Sequence, residues 1–301
     1  MSLPRLAVLP RTLHTTQRPS ATAQWTTLVR ALERQRPAAE RIVDDPYAPL
    51  FLTGAHRAAL HPLAAAAPAV RRLERSGAAG IATSVLCRHA FIDAHLLGSL
   101  PGVEQVIVLG AGYDSRAYRF AAALGDRPVY EVDLAPLSRA KAAVVQSHPE
   151  RFGVGSVTRV EIDFRAESLT DRLAASGFRP HAPCFVVWEG VSMYLTEAAV
   201  LGTLRSLADV CGPGSVLAMD FWQSPRGRAP YDHLRRTAVR SMRLIGEPIT
   251  FATPPDAAVD LLRSGGFRVD DLADGRQLTG RYATGGRRCD DALYTVAATL
   301  P

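Results

Sequence analysis

The segment Gln105–Arg116, with the sequence QVIVLGAGYDSR, decides the fold of this chain. Residues Val106–Leu109 form a continuous apolar run in which three of the four side chains are β-branched. Such a run is typical of a strand that is buried on both faces of a parallel sheet. Gly110 and Gly112 follow directly, and glycines in this place let a ligand approach the backbone without meeting a Cβ atom. The segment therefore predicts an α/β fold with a ligand-binding loop after its first strand.

The same alternation of apolar runs and helical segments continues toward the C-terminus. Further strands are predicted at Pro128–Val132, Val157–Ile162, Cys184–Trp188, Ser215–Phe221, Phe267–Leu272 and Ala292–Ala298. Helices are predicted between them at Ser115–Leu124, Ala135–Ser147, Ser168–Ser176, Thr196–Val210 and Asp256–Ser264. Strands that alternate with helices in this way are typical of βαβ units. We therefore expect a doubly wound, mostly parallel, seven-stranded sheet of the Rossmann-like type.

Three regions lie outside this alternation. Residues 21–100 are rich in alanine and leucine and predict helices, which we expect to form a cap packed on the sheet. Residues 222–250 interrupt the pattern after the fifth strand and include a basic amphipathic helix candidate at Tyr231–Leu244. Residues 1–20 contain arginines and no acidic residue, which is typical of a flexible basic arm. We expect a single domain over residues 21–301, with a helical insertion after the fifth strand.

The composition narrows the classes of partner. The chain has 301 residues, of which 47% are hydrophobic and 21% charged, as in ordinary globular proteins. Its formal net charge of +6 comes from arginines spread along the chain, mostly single or in pairs, rather than from the runs typical of nucleic-acid binding. No apolar run reaches the ~18–20 residues of a membrane span. The four cysteines form no C-x-x-C motif, and Cys184 and Cys211 flank apolar segments as small buried hydrophobic residues do, so we expect neither a disulfide framework nor a zinc site. We expect a cytoplasmic protein with no nucleic-acid, membrane or metal partner.

Acidic residues stand at the ends of the next three predicted strands. Glu131 and Asp133 end the second strand, Asp163 and Phe164 follow the third, and Glu189 follows the fourth. An acid about 20 residues after the glycine loop can accept hydrogen bonds from both hydroxyls of a ribose. The carboxyl ends of parallel strands meet at one edge of a sheet, where ligands bind. The pattern therefore predicts a site for a cofactor that contains adenosine.

These features alone fit either a nicotinamide dinucleotide or S-adenosylmethionine. Ser115 stands where a dinucleotide fingerprint usually has its third glycine. Asp114 adds a negative charge where a pyrophosphate would lie, although it could equally cap the following helix. S-adenosylmethionine has no phosphate, and its sulfonium is compatible with nearby acids. A nicotinamide-dependent oxidoreductase remains the main alternative at this point, although the sequence contains no Tyr-x-x-x-Lys pair.

Several segments resemble the leucine carboxyl methyltransferase-like family of S-adenosylmethionine-dependent methyltransferases, in the same order and at the same separations. They are Arg41–Leu52, Val108–Arg119, Tyr130–Leu134, Ile162–Arg165 and Glu189–Leu195. The resemblance runs from about residue 22 to residue 222, and the C-terminal quarter matches only in broad pattern. It implies the methyltransferase version of the Rossmann-like sheet, with S-adenosylmethionine as cofactor.

The resemblance also implies roles for individual residues. Seven would contact the cofactor: Arg88 at its carboxylate, Gly110 and Gly112 at its methionine end, Asp133 at the ribose, Asp163 and Phe164 at the adenine, and Glu189 at the amino or sulfonium side. A guanidinium suits the first task because it can bind a carboxylate through two hydrogen bonds. Arg30 falls near a second basic position of the family, and His89, beside Arg88, reads as a packing residue.

The resemblance further implies transfer of the methyl group to an oxygen. Members of the family methylate a protein C-terminus, and bacterial members resemble small-molecule O-methyltransferases. The arginine- and alanine-rich composition suggests a GC-rich bacterium and so favours a small, natural-product-like acceptor; a protein C-terminal carboxylate is the alternative. A carboxylate acceptor is ionised at neutral pH, whereas a phenol would gain from a general base. Tyr194, Tyr231 and His233 are candidate catalytic residues, although the position of His233 on a basic helix is more typical of an ordinary surface histidine.

Overall fold

The computed structural model describes residues 20–75, 80–153, 157–164, 166–224 and 247–301. The strands of one sheet are β1 (Gln105–Leu109), β2 (Val129–Asp133), β3 (Val157–Glu161), β4 (Cys184–Trp188), β5 (Val216–Trp222), β6 (Arg268–Ala273) and β7 (Leu293–Thr299). Their order across the sheet is β3-β2-β1-β4-β5-β7-β6. Strands β1 to β5 pair in parallel, whereas β7 runs antiparallel between β5 and β6. The predicted doubly wound, mostly parallel, seven-stranded sheet is confirmed.

The strand order places a binding crevice between β1 and β4. The chain leaves β1 toward β2 and β3 on one side, and β4 starts the second half of the sheet on the other side. At such a switch point the connections diverge and leave an opening beyond the carboxyl ends of the strands. The glycine loop follows β1 at this edge, and Glu189 follows β4 directly.

The helices surround this sheet. They are α1 (Ala21–Glu33), α2 (Ala48–Phe51), α3 (Gly54–Ala65), α4 (Ala67–Arg75), α5 (Gly80–Ser99), α6 (Arg116–Arg119), α7 (Ala121–Leu124), α8 (Ala135–Ser147), α9 (Pro149–Phe152), α10 (Leu169–Ala175), α11 (Glu197–Val210), α12 (Pro255–Ser264) and α13 (Gly275–Tyr282). The single helix expected over Ser115–Leu124 is two short helices. The break falls at Phe120, whose φ of −107° and ψ of 20° leave the helical region.

The sheet is covered on both faces, which explains the continuous apolar runs of its strands. In β1, Ile107 and Leu109 pack into a core on one face, and Val106 and Val108 pack into a core on the other. Leucines of α10, α11 and α12 complete the first core. Phe91 and other apolar side chains of α5 complete the second. Neither face of β1 meets water, so neither needs polar residues.

The helices before β1 are tied to the C-terminal part of the chain by a buried ion pair. Glu33, at the end of α1, accepts hydrogen bonds from Arg287 Nη1 and Nη2 at 2.7 and 2.9 Å. Both side chains are almost completely buried. Helix α5 also packs against β5 and β7. The helical region 21–100 thus lies on the sheet, while its description as a cap and the single-domain boundaries stay predictions.

Two predicted regions lie wholly or mostly outside the described residues. The predicted basic arm covers residues 1–20, of which 1–19 lie outside the described residues. Its last residue, Ser20, caps α1 by accepting a hydrogen bond from the Ala23 N–H at 3.1 Å. The insertion 222–250 is described only at its two ends, and its expected helix Tyr231–Leu244 lies outside the described residues. Among the described helices, none is both long enough and apolar enough to cross a membrane.

Candidate active site

The backbone N–H groups of the loop after β1 donate hydrogen bonds to β2. Gly110 and Gly112 have positive φ angles of 62° and 42°. The N–H groups of Gly110 and Ala111 donate to the Val132 carbonyl at 2.8 and 3.2 Å. The N–H of Gly112 donates to Asp133 Oδ2 at 2.6 Å. These three donors are therefore already satisfied, whereas a dinucleotide site directs such donors at a pyrophosphate.

Asp133 lies at the end of β2 beside this loop and is only 8% exposed. Besides the Gly112 N–H, its carboxylate accepts a hydrogen bond from the Leu134 N–H, to Oδ1 at 2.7 Å. Burial raises the pKa of Asp133, and these two backbone hydrogen bonds oppose the shift. A carboxylate can accept about four hydrogen bonds, so two acceptor positions remain for hydroxyls of a ligand.

Arg88 of α5 lies between two acids at the same edge of the sheet. Its Nε donates to Glu189 Oε1 at 2.9 Å, and its Nη1 donates to Asp220 Oδ2 at 3.0 Å. Asp220 belongs to β5, is fully buried, and also accepts a hydrogen bond from the Gly190 N–H at 2.6 Å. Burial raises the pKa of Asp220, and the positive charge of Arg88 opposes this shift. The guanidinium of Arg88 is therefore held in one orientation between β4 and β5.

Arg116, at the start of α6, connects three further elements. Its guanidinium donates to Asp93 Oδ1 of α5 at 2.6 Å, to Glu189 Oε2 at 2.8 Å, and to the Asp114 carboxylate. The Arg116 N–H also donates to Asp114 Oδ1 at 2.7 Å, which favours the capping role of Asp114 that the sequence left open. Arg119 donates to the other oxygen of Asp93 at 2.7 Å. We call these ion-paired residues, together with Arg88, His89 and Asp220, the buried charge network.

His89 belongs to this network and is not simply a packing residue. It is 2% exposed; its Nδ1 lies 2.9 Å from Glu189 Oε2, and its Nε2 lies 2.9 Å from Arg119 Nη2. Burial, together with the charge of Arg116, lowers the pKa of His89. A neutral ring with its proton on Nδ1 donates to Glu189 and accepts from Arg119, whereas a ring with its proton on Nε2 accepts at Nδ1 from Arg116 Nη2, which lies 2.8 Å away. Glu189 has His89, Arg88 and Arg116 as partners.

Comparison with known proteins identifies the family. The model of the family described as leucine carboxyl methyltransferase matches residues 23–208, more than half of the chain. The chain belongs to the leucine carboxyl methyltransferase family. The match includes the glycine loop, Asp133, Asp163 and Glu189, and it ends before Asp220 in β5.

Two similar proteins support the same assignment. A protein from Frankia alni is 32% identical over 200 residues, which cover 66% of this chain and 67% of the relative. A protein from Streptomyces avermitilis is 34% identical over 200 residues, which cover 66% of this chain and 68% of the relative. Both carry the name of an S-adenosyl-L-methionine-dependent methyltransferase. Among solved structures, magnesium protoporphyrin IX methyltransferase from Synechocystis, with bound SAH, is 15% identical with a TM-score of 0.47, over 72% of this chain and 84% of its own.

This leucine carboxyl methyltransferase family member is an S-adenosylmethionine-dependent methyltransferase, and S-adenosylmethionine is its cofactor. The buried charge network fits that ligand. It sets three cations, Arg88, Arg116 and Arg119, against four acids, Asp93, Asp114, Glu189 and Asp220. A cofactor with a sulfonium, an ammonium and one carboxylate brings one net positive charge to this excess of acids, whereas a dinucleotide brings negative charge. The nicotinamide alternative is therefore set aside.

The predicted adenine-binding residues of this methyltransferase lie at the same edge. The Ile162 N–H donates to the Asp133 carbonyl at 3.0 Å, which places the end of β3 beside the end of β2. Asp163 and Phe164 follow and are half-buried. Phe164 packs against the core that contains Ile107. The sheet thus brings the predicted cofactor residues from the ends of β1, β2, β3 and β4 to one edge, while their individual contacts with the cofactor stay predictions.

The first turn of α1 covers the glycine loop. A Cβ atom placed on Gly112 would come within 3.9 Å of the Ala23 side chain. Glu247, from the far end of the 222–250 segment, accepts hydrogen bonds from the N–H groups of Ala21 and Thr22 at 3.0 and 3.1 Å. A carboxylate at a helix N-terminus is stabilised by the helix dipole as well as by these bonds. Glu247 therefore holds α1 over the edge of the sheet at which β1 to β4 end, which we call the cofactor edge.

Arg30 fixes the same helix to the loop from its other end. Its Nη2 donates to the Tyr113 carbonyl at 2.9 Å, and its Nη1 lies 3.1 Å from Asp45 Oδ2. Burial opposes ionisation of Asp45, but the Arg30 charge and other nearby cations outweigh it and lower the pKa of Asp45. Arg30 also donates to Thr27 Oγ1 at 3.3 Å and so has three partners among the described residues.

The three catalytic candidates differ in what the structure says of them. Tyr194 lies in the turn after β4, and its hydroxyl is buried and makes no well-formed hydrogen bond to a described residue. Burial raises the pKa of Tyr194, and Thr22 of α1 lies beside it. Tyr231 and His233 lie outside the described residues.

Several residues of the site were not found from the sequence. Asp220 had a signal, because it is a charged residue inside the apolar strand VLAMDFW. Asp93 also had one, since it follows His89 by four positions on α5 and so shares its helix face. Glu247 had none, because its partners on α1 are 225 and 226 positions away in the sequence.

Gly110 gives a first testable prediction. A Cβ atom there would lie 2.3 Å from Val191 Cγ2, in a backbone conformation with φ of 62°. We expect Gly110→Ala to lower the free energy of unfolding by about 1–3 kcal/mol and to weaken S-adenosylmethionine binding. Urea denaturation and calorimetry measure the two effects. Gly98→Ala in α5 is the matched control, because a Cβ there meets nothing within 4 Å; equal losses in both variants would contradict the prediction.

The acids of the network predict the course of acid unfolding. Burial opposes ionisation of Asp114, but the Arg116 charge outweighs it and lowers the pKa of Asp114 to about 2, from 3.8. The pKa of Glu189 is also lowered, since His89, Arg116 and Arg88 outweigh its burial. A lowered pKa in the folded state adds stability above the unfolded pKa, and this stability is lost as the pH falls toward the folded pKa. We expect thermal stability to fall steeply between about pH 4 and pH 2.

The variant Asp114→Asn tests whether the network acids cause this loss of stability at low pH. Asparagine has no carboxylate to titrate, so the melting temperature of the variant should fall less than that of the wild type over this interval. Burial raises the pKa values of Asp133 and Asp220, so these two acids change stability in the opposite direction as the pH falls and cannot cause the loss. Melting curves recorded by circular dichroism at stepped pH give the comparison, and parallel pH profiles of variant and wild type would refute the assignment.

Proposed function

We propose that this chain is an O-methyltransferase that transfers the methyl group of S-adenosylmethionine to a small-molecule carboxylate, with a phenolic hydroxyl as the second class of acceptor. The observation that carries the proposal is the state of the acids and the histidine at the cofactor edge. Glu189 and Asp220 are ion-paired with arginines, and both ring nitrogens of His89 are engaged. An acceptor that is ionised on arrival suits such a site, because it needs no proton removed.

The side chains would act mainly by binding and orientation. S-adenosylmethionine supplies a methyl group on a sulfonium, which is already a good leaving group. Arg88 would hold the carboxylate of the cofactor, and Asp133 would accept hydrogen bonds from the ribose hydroxyls. The first turn of α1, held by Glu247, would exclude water from the reacting atoms. Most of the rate acceleration would then come from holding the acceptor oxygen in line with the methyl carbon in a site that excludes water.

Cofactor and acceptor are tested separately. Isothermal titration calorimetry with S-adenosylmethionine, S-adenosylhomocysteine and NAD should show binding of the first two only. Transfer of a tritiated methyl group is then measured on a panel of carboxylic acids, phenols and peptides with a free C-terminus. A product that base hydrolyses is an ester, and a stable product is an ether. Labelled amines or thiols, with no labelled oxygen acceptor, would overturn the proposed O-methylation.

Tyr194 gives a prediction about the acceptor side. Its raised pKa keeps the phenol neutral, so we expect it to donate a hydrogen bond rather than to act as a base. Tyr194→Phe should lower kcat/KM for the acceptor by roughly tenfold, which corresponds to one lost hydrogen bond, and should leave cofactor affinity unchanged. Steady-state kinetics with the best acceptor measures the first effect and calorimetry the second. Unchanged kcat/KM would remove Tyr194 from the site. Tyr130→Phe, whose hydroxyl donates to the Gly177 carbonyl, is the control.

A further inference from the structure

The four cysteines of the chain lie in two pairs. Cys184 Sγ and Cys211 Sγ are 2.9 Å apart, and both residues are buried, at 0% and 3% exposure. Cys87 of α5 contacts Cys289, which is half-buried in the segment before β7. All four are present as thiols. Pairing in space was not expected from the sequence, because Cys184 and Cys211 are 27 positions apart.

The backbone around Cys184 and Cys211 fixes their approach. The His181 N–H donates to the Val210 carbonyl at 2.8 Å, and the Gly212 N–H donates to the Ala182 carbonyl at 3.1 Å. The Cys184 N–H donates to Ser215 Oγ at 2.9 Å. These bonds join the segment before β4 to the segment after α11 on both sides of the sulfur atoms. The short sulfur separation therefore follows from the fold and not only from the choice of side-chain rotamers.

Gly212 shows how close the two segments are. A Cβ atom on Gly212 would lie 2.1 Å from the His181 carbonyl oxygen, so only glycine fits there. A disulfide has a sulfur separation of about 2.05 Å, so the two sulfur atoms need to move together by less than about 1 Å. The Cys184 thiol donates to Cys211 Sγ at 2.9 Å and lies 3.6 Å from Ser215 Oγ, so the two sulfur atoms are held in contact.

We propose that Cys184 and Cys211 form a built site for an intramolecular disulfide, made in the folded protein by a hydroperoxide. One thiol of the pair, written here as Cys184, gives up its proton and attacks one oxygen of hydrogen peroxide; the O–O bond breaks, Cys184 becomes a sulfenic acid, and the hydroxide that leaves takes up that proton to give water. The Cys211 sulfur then attacks the Cys184 sulfur, the S–O bond breaks, and a second water leaves with the Cys211 proton. Two thiols lose two electrons, and one hydrogen peroxide becomes two waters.

The expected consequence is stability without a change in catalysis. The bond would join the first residue of β4 to the end of α11, at the opposite end of β4 from Glu189. It closes a loop of moderate length, so the melting temperature should rise by on the order of 5 °C on oxidation. Cofactor affinity should stay the same, because no residue of the buried charge network is joined by the bond.

The test uses the full chain with the Cys87→Ser and Cys289→Ser substitutions, which leave only this pair. The native protein is treated with hydrogen peroxide, quenched, unfolded in urea and alkylated with N-ethylmaleimide before intact mass analysis. We expect a loss of two hydrogen atoms, no alkylation, reversal by dithiothreitol and the rise in melting temperature. Adding Cys211→Ser should give a single oxidised sulfur and no rise.

Three results would overturn the proposal. They are two alkylated thiols after oxidation, sulfinic acids in place of the disulfide, and a disulfide that forms only in urea-treated protein. If the doubly substituted protein does not fold, the wild type is oxidised in the native state, and the cross-linked peptides are mapped after proteolysis. A bond between Cys184 and Cys211 supports the proposal, and bonds confined to Cys87 and Cys289 refute it. None of these readouts depends on methyl transfer.

Discussion

Replacing Arg88 with methionine is expected to lower the free energy of unfolding by about 3–5 kcal/mol and to weaken S-adenosylmethionine binding by at least about 100-fold. Asp220 is fully buried and has Arg88 as its only ion-pair partner among the described residues. Without the guanidinium, its carboxylate must either stay charged in an apolar interior or take up a proton. Urea denaturation measures the loss of stability, and calorimetry measures the loss of affinity.

Arg88→Lys separates charge from geometry. A lysine keeps the positive charge, but its single ammonium cannot reach Glu189, Asp220 and a cofactor carboxylate in the fixed fork of a guanidinium. We expect stability to recover in part and affinity to stay low. Arg139→Met is the matched control, since the Arg139 side chain is 74% exposed and its ion pair with Glu161 lies at the surface. The melting temperature of this control variant should equal that of the wild type. Wild-type affinity in Arg88→Met, whatever its stability, would remove Arg88 from the cofactor site.

The strands could be predicted from the sequence because most of them are covered on both faces. Each predicted strand agrees with the structure to within one residue at each end, since apolar runs such as Val106–Leu109 stop where the backbone reaches the surface. The antiparallel direction of β7 could not be predicted in this way. A buried strand has the same apolar pattern in either direction, so the run at Leu293–Thr299 does not show which way it is paired.

The candidate site also has residues that could be predicted from the sequence and residues that could not. Gly110, Asp133 and Glu189 could be proposed because each stands at the last position of a strand or directly after it, and strand ends are visible in the sequence. The partners of these residues could not, because they depend on how α5 and α6 pack together. Nothing in the sequence shows that Arg116 meets Asp93 and Glu189 at once. The capping of α1 by Glu247 depends on tertiary packing in the same way.

This division explains why the sequence described the polar residues one at a time, whereas the structure shows a network. Glu189 was expected to face the cofactor as a single acid, yet it has three partners within the chain. A buried acid with such partners is held in place and kept ionised, because each partner favours the charged form. Any contact it makes with a cofactor therefore starts from a fixed orientation, which is what a preorganised site requires.

Asp133→Ala is expected to weaken S-adenosylhomocysteine and S-adenosylmethionine binding by roughly 100-fold, about 2.7 kcal/mol. If Asp133 binds the ribose, as we propose, the variant loses two hydrogen bonds to its hydroxyls; the Gly112 N–H also loses its acceptor in the loop. Asp133→Asn keeps the shape and one acceptor oxygen, so it should restore the loop while recovering only part of the affinity. Glu161→Gln is the matched control, because Glu161 ends β3 at the same edge but is ion-paired with the exposed Arg139.

A ligand without ribose hydroxyls separates the ribose contact from damage to the loop. The affinities of S-adenosylhomocysteine and of its 2′,3′-dideoxy analogue are measured by calorimetry for the wild type and for Asp133→Asn. If Asp133 binds the ribose, the wild type should prefer the parent ligand strongly and the variant only weakly, because the two changes remove the same hydrogen bonds. If the variant keeps the full preference, Asp133 shapes the loop and another group binds the ribose. The ratio of the four affinities decides between these roles even where the variant is less stable, since each protein is compared with itself.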